Sequence, residues 1–397
     1  MTSPSLLKRV DPFLLMLVIV VTLASLLPAR GVEAVVFEWL ADIAIALLFF
    51  LHGAKLSRQA IVAGIGNLKL HGLTLSATYV VFPLVGLAVV AAVQGWINPL
   101  LVSGVLFLTL LPSTVQSSIA FTSIARGNVA AAVCSASLSN LLGIIVTPLL
   151  VGLLIHSGTS GEGFDWGGVQ AIVIQLLLPF LAGHFLRPLI GKWVDGHKKL
   201  LGPIDRGSIL LVVYSAFSAA VVDGIWQTLG LSDLLWLLGL SAVILAAVMA
   251  YTIGAARVAG LRREDSVVLL FCGSKKSLAS GVPMAGALFA PAEVGMIVLP
   301  LMIFHQLQLF VCAWLAARMA RRVDAAGEAS TDPAPASGPA PASSPAPAAV
   351  PQGTDAIAAA AAARGVTIEP ACRDGVAANC DLLASHAARM RGEGTAP

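Results

Sequence analysis

The octet Gly143-Ile-Ile-Val-Thr-Pro-Leu-Leu150 recurs as Gly295-Met-Ile-Val-Leu-Pro-Leu-Met302, with five of eight positions identical. A shorter pair, Gln116-Ser-Ser-Ile-Ala120 and Lys275-Lys-Ser-Leu-Ala279, precedes these in the same order. All four segments lie inside apolar runs of the length that crosses hydrocarbon, about 20 residues. Ten such runs are found, roughly at 11–29, 36–55, 70–93, 99–125, 128–155, 168–187, 207–226, 231–257, 265–290 and 293–318. The matches link span 4 with span 9 and span 5 with span 10, a repeat of five helices. An odd-numbered unit enters the membrane from the opposite face the second time, so the expected fold is all-α, with inverted repeats at residues 11–155 and 168–318. Chance likeness among apolar segments is the alternative, and the preserved order favours the repeat.

Composition agrees with a membrane solvent. The chain is 57% hydrophobic and 11% charged, too little charge to cover a soluble globule of 397 residues. Its net charge of +3 is spread over short loops, not clustered with aromatics, which sets nucleic-acid binding aside. Cys134, Cys272, Cys312, Cys372 and Cys380 have no metal-ligand spacing and are expected as free thiols. There is no phosphate loop, catalytic triad or metal cluster, so neither an enzyme nor a bound cofactor is expected. The first run follows Lys8 and Arg9, but Leu-Leu-Pro-Ala-Arg-Gly is a poor cleavage site and more spans follow, so it reads as an uncleaved span 1.

Lys and Arg in short loops resist translocation. With residues 1–10 inside, the inner segments carry seventeen of them and the outer loops only Arg30. Both termini are therefore expected on the cytoplasmic side of the inner membrane. From Asp324 the composition turns to Ala, Pro, Ser and Gly, and residues 324–397 read as a disordered cytoplasmic tail, with a transient helix at Ala356–Ala363.

Spans 4 and 9 are where regular helix should fail. In Leu111-Pro-Ser-Thr-Val-Gln-Ser-Ser118 a proline and five polar residues sit inside lipid, and Pro112 lacks a donor and crowds the preceding turn. In span 9, Cys272-Gly-Ser-Lys-Lys-Ser277 does the same, with Pro283 beyond. Lys275 is ten residues from the inner edge of its span, about 15 Å at helical rise and near mid-bilayer. Two breaks at matching depth in matching halves point to a midplane binding site; simple kinking or packing is the blander reading of span 4. Burying a lysine there costs about 2.5–3.5 kcal/mol, so Lys275 and Lys276 are expected to face protein or water. Neighbouring residues on a helix point about 100° apart, so both line one cavity only if the backbone unwinds.

Weaker candidates are His305, Gln306 and Gln308 in span 10, where a buried polar side chain bonded to a neighbour is the commoner outcome. Asp42 and Asp223 lie nearer the outer face, where interfacial solvation explains them. Thr78, five residues before Pro83, and the ladder Ser135, Ser137, Ser139, Asn140 supply oxygen ligands or knit helices together.

Residues 10–320 resemble the bile acid:sodium symporter superfamily. The motifs Asp11-Pro-Phe, Phe49-Phe-Leu-His-Gly-Ala-Lys-Leu-Ser-Arg58 and Phe271-Cys-Gly-Ser-Lys-Lys-Ser277 are similar to the branch related to the seventh-member bile acid carriers. The resemblance implies a panel of spans 1, 2, 6 and 7 against a core of the others, with spans 4 and 9 crossing at their unwound centres. It maps the sodium ligands of the family onto Ser117 and Ser118, near Ala132 and Ala136 with Ser135 adjacent, about Thr78, and onto Phe271 and Lys275. Several ligands are thereby lost.

The expected function is secondary active transport of a small organic anion, either carboxylate-like or a bile acid, sulfate ester or sterol conjugate. The substrate site would comprise Lys275, Lys276, Ser117, Ser118, Gln116, Ser277 and His305; ion coupling would use Lys275, Thr78, Ser135, Ser117 and Ser118. The coupling ion is a proton carried by a buried lysine, or sodium as co-substrate. The alternative is a membrane regulator of ion homeostasis that keeps the fold and senses a ligand without moving it.

Overall fold

The computed structural model describes residues 12–55, 67–156, 166–329, 351, 353–363 and 373–390, and no strand occurs among them. In chain order the helices are α1 (Pro12–Leu26), α2 (Val32–Lys55), α3 (Leu68–Val93), α4 (Pro99–Leu110), α5 (Gln116–Ile124), α6 (Val129–Val151), α7 (Trp166–Gly196) and α8 (Lys198–Val222). There follow a single turn, Ile225–Thr228, then α9 (Leu231–Val258), α10 (Arg263–Gly273), α11 (Leu278–Leu288) and α12 (Pro291–Ala329). Among the described residues six helices are long and apolar enough to cross a membrane: Val32–Lys55, Leu68–Val93, Val129–Ile155, Lys199–Val222, Leu231–Val258 and Pro291–Val323. Spans 4 and 9 are each two half-helices, α4 with α5 and α10 with α11, so no single helix of either pair crosses alone.

The protein is apolar outside as well as inside. Leu231, Leu235 and Leu238 of α9 are exposed while Leu237, Ile244 and Val248 are buried, as expected of a helix with lipid on one face and protein on the other. Buried aromatics fill the interior, with Phe82 edge-on to Phe304 at 6.0 Å and Phe107 to Phe289 at 5.3 Å. Helix α2 packs along α7 and α8, and α1 along α8; α4 packs on α12 and α3. The α2–α7 contact is backbone against backbone: a Cβ added at Gly53 would lie 1.9 Å from the Phe180 carbonyl oxygen, and one at Gly183 1.9 Å from that of Phe50.

The N-terminal ends of α3, α6 and α10 are tied by one buried carboxylate. Asn67 and Asn128 cap their helices by accepting from the amides of Leu70 (3.2 Å) and Ala131 (3.1 Å). Their side-chain amides donate to Asp265 at 3.2 and 3.0 Å, so Asp265 clamps two caps to the start of its own helix.

The described residues beyond 331 belong to a second compact unit. Helix α12 continues past Asp324 to Ala329, and further on α13 (Thr354–Ala362), which overlaps the Ala356–Ala363 stretch read as helix-forming, and α14 (Arg373–Met390) are helices, in keeping with the high helix propensity of alanine. Cys134, Cys272, Cys312 and Cys380 are free thiols. Cys372, Arg58, Gly163 and residues 1–10 lie outside the described residues.

Candidate functional site

The two breaks meet. Residues 111–115 and 274–277 are non-helical, and the amide of Ser277 donates to the Pro112 carbonyl at 2.9 Å. A helix end leaves carbonyls without partners, and in lipid each must be satisfied by protein. At the end of α10 hydroxyls do this: Ser113 donates to the Cys272 carbonyl (2.6 Å), Ser118 to that of Phe271 (3.0 Å) and Ser274 to that of Leu270 (2.5 Å). The Ser113 amide donates to Ser139 Oγ (3.1 Å), and Asn140 donates to the Ser113 carbonyl (2.6 Å) while accepting from Ser280 (2.9 Å). The serine ladder of α6 is thus the strut of the crossing. On the far side Gln308 reads one peptide twice, accepting from the Lys276 amide and donating to the Lys276 carbonyl, both at 2.9 Å. Gln308 also donates to His305 Nδ1 at 2.8 Å.

The two lysines are both 0% exposed and diverge from the unwound turn. Lys276 Nζ donates to the carbonyls of Thr78 (2.9 Å) and Leu111 (2.6 Å), with the Phe82 ring centroid 4.1 Å away. Both carbonyls are free for identifiable reasons. Ala77–Val81 of α3 is a π-helical turn in which the Phe82 amide bonds to Ala77, one residue before Thr78. The next candidate donor to Thr78 would be residue 83, a proline with no N–H. Leu111 is the first residue of the break. One ammonium therefore satisfies two orphaned carbonyls of two different spans. Lys275 turns the other way: its Nζ has no hydrogen-bond partner and lies 3.9 Å from the Phe121 ring centroid and 5.6 Å from that of Phe271.

A cleft opens on the other face of the crossing, as adjoining lobes of about 270 and 400 Å³ that share Leu48, His52, Gln116, Asn140, Asp205 and Ser280 in their walls. The structure divides the residues predicted from sequence. Gln116, Ser117, Ser277 and His305 line the larger lobe; Ser118, Thr78, Ser135, Lys275 and Lys276 do not line either. Neither lysine, both expected at the substrate cavity, lines this cleft: free carbonyls and aromatic faces hold their ammonium groups in the packed side of the crossing. Ser135 bonds to buried His71 at 2.7 Å, and the Thr78 hydroxyl to its own helix at Thr74, so the ligand of α3 is a carbonyl, not a hydroxyl. Asp42 and Asp223 are exposed, away from the cleft. Sequence reading passed over His71, the clamp role of Gln308, and the group His52, Lys55, Asp205 and Arg206 on the opposite wall. The spacing of Thr78 to Pro83 was the available signal for a free carbonyl in α3. The half-helices α5 and α11 begin at this cleft, where Gln116, Ser117, Leu278, Ala279 and Ser280 line it, so two helix N-termini with their partial positive charge end on the cavity. Among the described residues no three His, Cys, Asp or Glu side chains gather as a metal site.

The sequence profile of the SBF-like CPA transporter family matches residues 11–321, the whole helical body that carries this crossing. The chain belongs to that family. Two bacterial relatives are alike along nearly their full length: an uncharacterized protein of Pseudomonas aeruginosa, 56% identical over 80% of this chain and 96% of its own, and the "Putative symporter YfeH" of Escherichia coli K12, 52% identical over 83% and 99%. The zebrafish (Danio rerio) "Sodium/bile acid cotransporter 7" is 26% identical over 76% of this chain and 91% of its own. An SBF-like CPA transporter is a multi-pass membrane protein of transport, not an enzyme, and it agrees with the superfamily that the motifs around Phe49 and Lys275 resemble.

Proposed function

We propose that this protein moves a small organic anion across the inner membrane by alternating access, with the ammonium of Lys276 standing where a coupling cation would otherwise bind. The observation that carries this is the pair of bonds from Lys276 Nζ to the Thr78 and Leu111 carbonyls. Backbone carbonyls of unwound or widened helix are the usual oxygen donors for a coupling ion at a transporter crossing. Here a covalently attached cation holds them. Anion selectivity is supported by the N-termini of α5 and α11 at the cleft. The cleft volume suits a small organic acid better than an extended sterol conjugate.

In this reading the ten spans form two inverted repeats, with α1, α2, α7 and α8 as the panel that rocks against a core of the other spans, and with both termini cytoplasmic. Lys275, whose ammonium has aromatic faces but no acceptor, is the group that takes up and releases a proton during the cycle. Sodium as co-substrate is the second reading. It is favoured by the name of the zebrafish relative and by Thr114 and Ser117, whose hydroxyls line the cleft 2.9 Å apart. Proteoliposomes loaded with buffer and supplied with labelled organic acids test both. Uptake that follows an inward proton gradient supports the first reading, uptake that requires a sodium gradient supports the second, and saturable binding with no uptake under either gradient would assign a sensor.

A further inference from the structure

The wall of the cleft opposite the crossing carries charges with no part in the scheme above. Lys55, at the end of α2, is ion-paired with Asp205 Oδ2 of α8. The second carboxylate oxygen, Oδ1, is buried and has no partner, although Asp205 lines both lobes. Beside it His52 is held by a 2.8 Å bond from Nδ1 to the Leu48 carbonyl, which fixes Nδ1 as a donor and directs the far side of the ring away from its own helix. Arg206 lines the larger lobe. A buried carboxylate oxygen left unpaired is unfavourable by about as much as a lost charged hydrogen bond. The donors named on this wall are engaged elsewhere or offset: Lys55 Nζ is used by Oδ2 and His52 Nδ1 by the Leu48 carbonyl, and Arg206 is one residue along α8.

We infer that this wall is a specificity subsite which takes an organic anion bearing an N–H or O–H donor next to its acid group. The acid binds Lys55 and Arg206, and the adjacent donor binds Asp205 Oδ1. A 2-hydroxy acid has this pattern, and a zwitterionic 2-amino acid presents the same donor beside its carboxylate; an unsubstituted acid does not. The inference rests on the proposed transport of an organic anion and adds the chemical class of that anion. The arrangement works by rejection as much as attraction. An acid without the donor brings its negative charge beside Asp205 and leaves Oδ1 unpaired, and a site built to bond a substrate hydroxyl or amine discriminates strongly against the analogue that lacks it.

The test is binding of three acids of one skeleton, propionate, 2-hydroxypropionate and alanine, to the full-length protein in detergent, by calorimetry. The expected result is binding of 2-hydroxypropionate or alanine at least tenfold tighter than propionate. Asp205→Asn should reduce that preference to less than threefold, mainly by tightening propionate, since the repelling charge is gone. The double variant Lys55→Met with Asp205→Leu leaves neither charge buried alone, and it should lose binding of all three acids by more than tenfold. A preference that survives Asp205→Asn, equal binding of the three acids by the unaltered protein, or no binding of any of them would overturn the inference. Uptake of other organic acids in proteoliposomes, unaffected by such a result, would leave the transport reading standing.

Discussion

The two adjacent lysines are chemically identical and structurally opposite, and that contrast is testable. Lys276→Met leaves the Thr78 and Leu111 carbonyls buried without donors, a loss of about 1–3 kcal/mol for each. Its thermal unfolding midpoint in detergent should fall markedly. Lys275→Met removes an ammonium that has no hydrogen bond, and replacing a buried charge with an apolar side chain of similar size is often neutral or stabilising. Its midpoint should hold or rise while proton-driven uptake stops. Equal destabilisation by both would contradict the division of roles. At the N-terminal ends of α3, α6 and α10, Asp265→Ala orphans the amides of Asn67 and Asn128. A drop of about 1–3 kcal/mol per amide, with faster hydrogen exchange at the starts of α3 and α6, is the expected result. The burial of the lysines was legible because charge inside an apolar run stands out. Their direction was not, since it is decided by which carbonyls α3 and the break leave free, a property of three segments far apart in sequence.

At the scale of elements, the breaks in spans 4 and 9 were legible from Pro112 and from the polar runs around it and Lys275, because proline and unsatisfied donors interrupt a helix whatever surrounds them. The π-helical turn of α3 and the continuation of α12 past Asp324 were not, since both depend on local hydrogen-bond choices with small energy differences. The α2–α7 contact was equally hidden: Gly53 and Gly183 look like ordinary glycines of apolar runs until the helices are placed together. Gly183→Ala puts a methyl 1.9 Å from the Phe50 carbonyl oxygen, so the helices must separate, at about 1–3 kcal/mol or more for the overpacking. Gly239 of α9 has open space where a Cβ would go, and Gly239→Ala should stabilise by about 0.4–1 kcal/mol. Differential scanning fluorimetry on the two variants reads both signs; a harmless Gly183→Ala would show that the close crossing does not persist in the membrane.

For the molecule as a whole, the proposed ten-span topology rests on the internal matches and on the charge asymmetry of the loops. Single cysteines at Gly163 and in the tail, in a background without the five native cysteines, should react with an impermeant reagent from the outside and only after permeabilisation, respectively. Labelling of both from the same side would refute the five spans expected between that loop and the tail. The central claim is that a lysine ammonium at the crossing replaces a coupling sodium ion, and the most direct measurement compares driving forces. Uptake of the transported acid into proteoliposomes is followed under an inward sodium gradient and under an inward proton gradient, for the unaltered protein, Lys275→Gln and Lys276→Gln. The account predicts that the unaltered protein responds to the proton gradient and ignores sodium, and that both variants lose the proton response. Strict sodium dependence that survives both substitutions would contradict it.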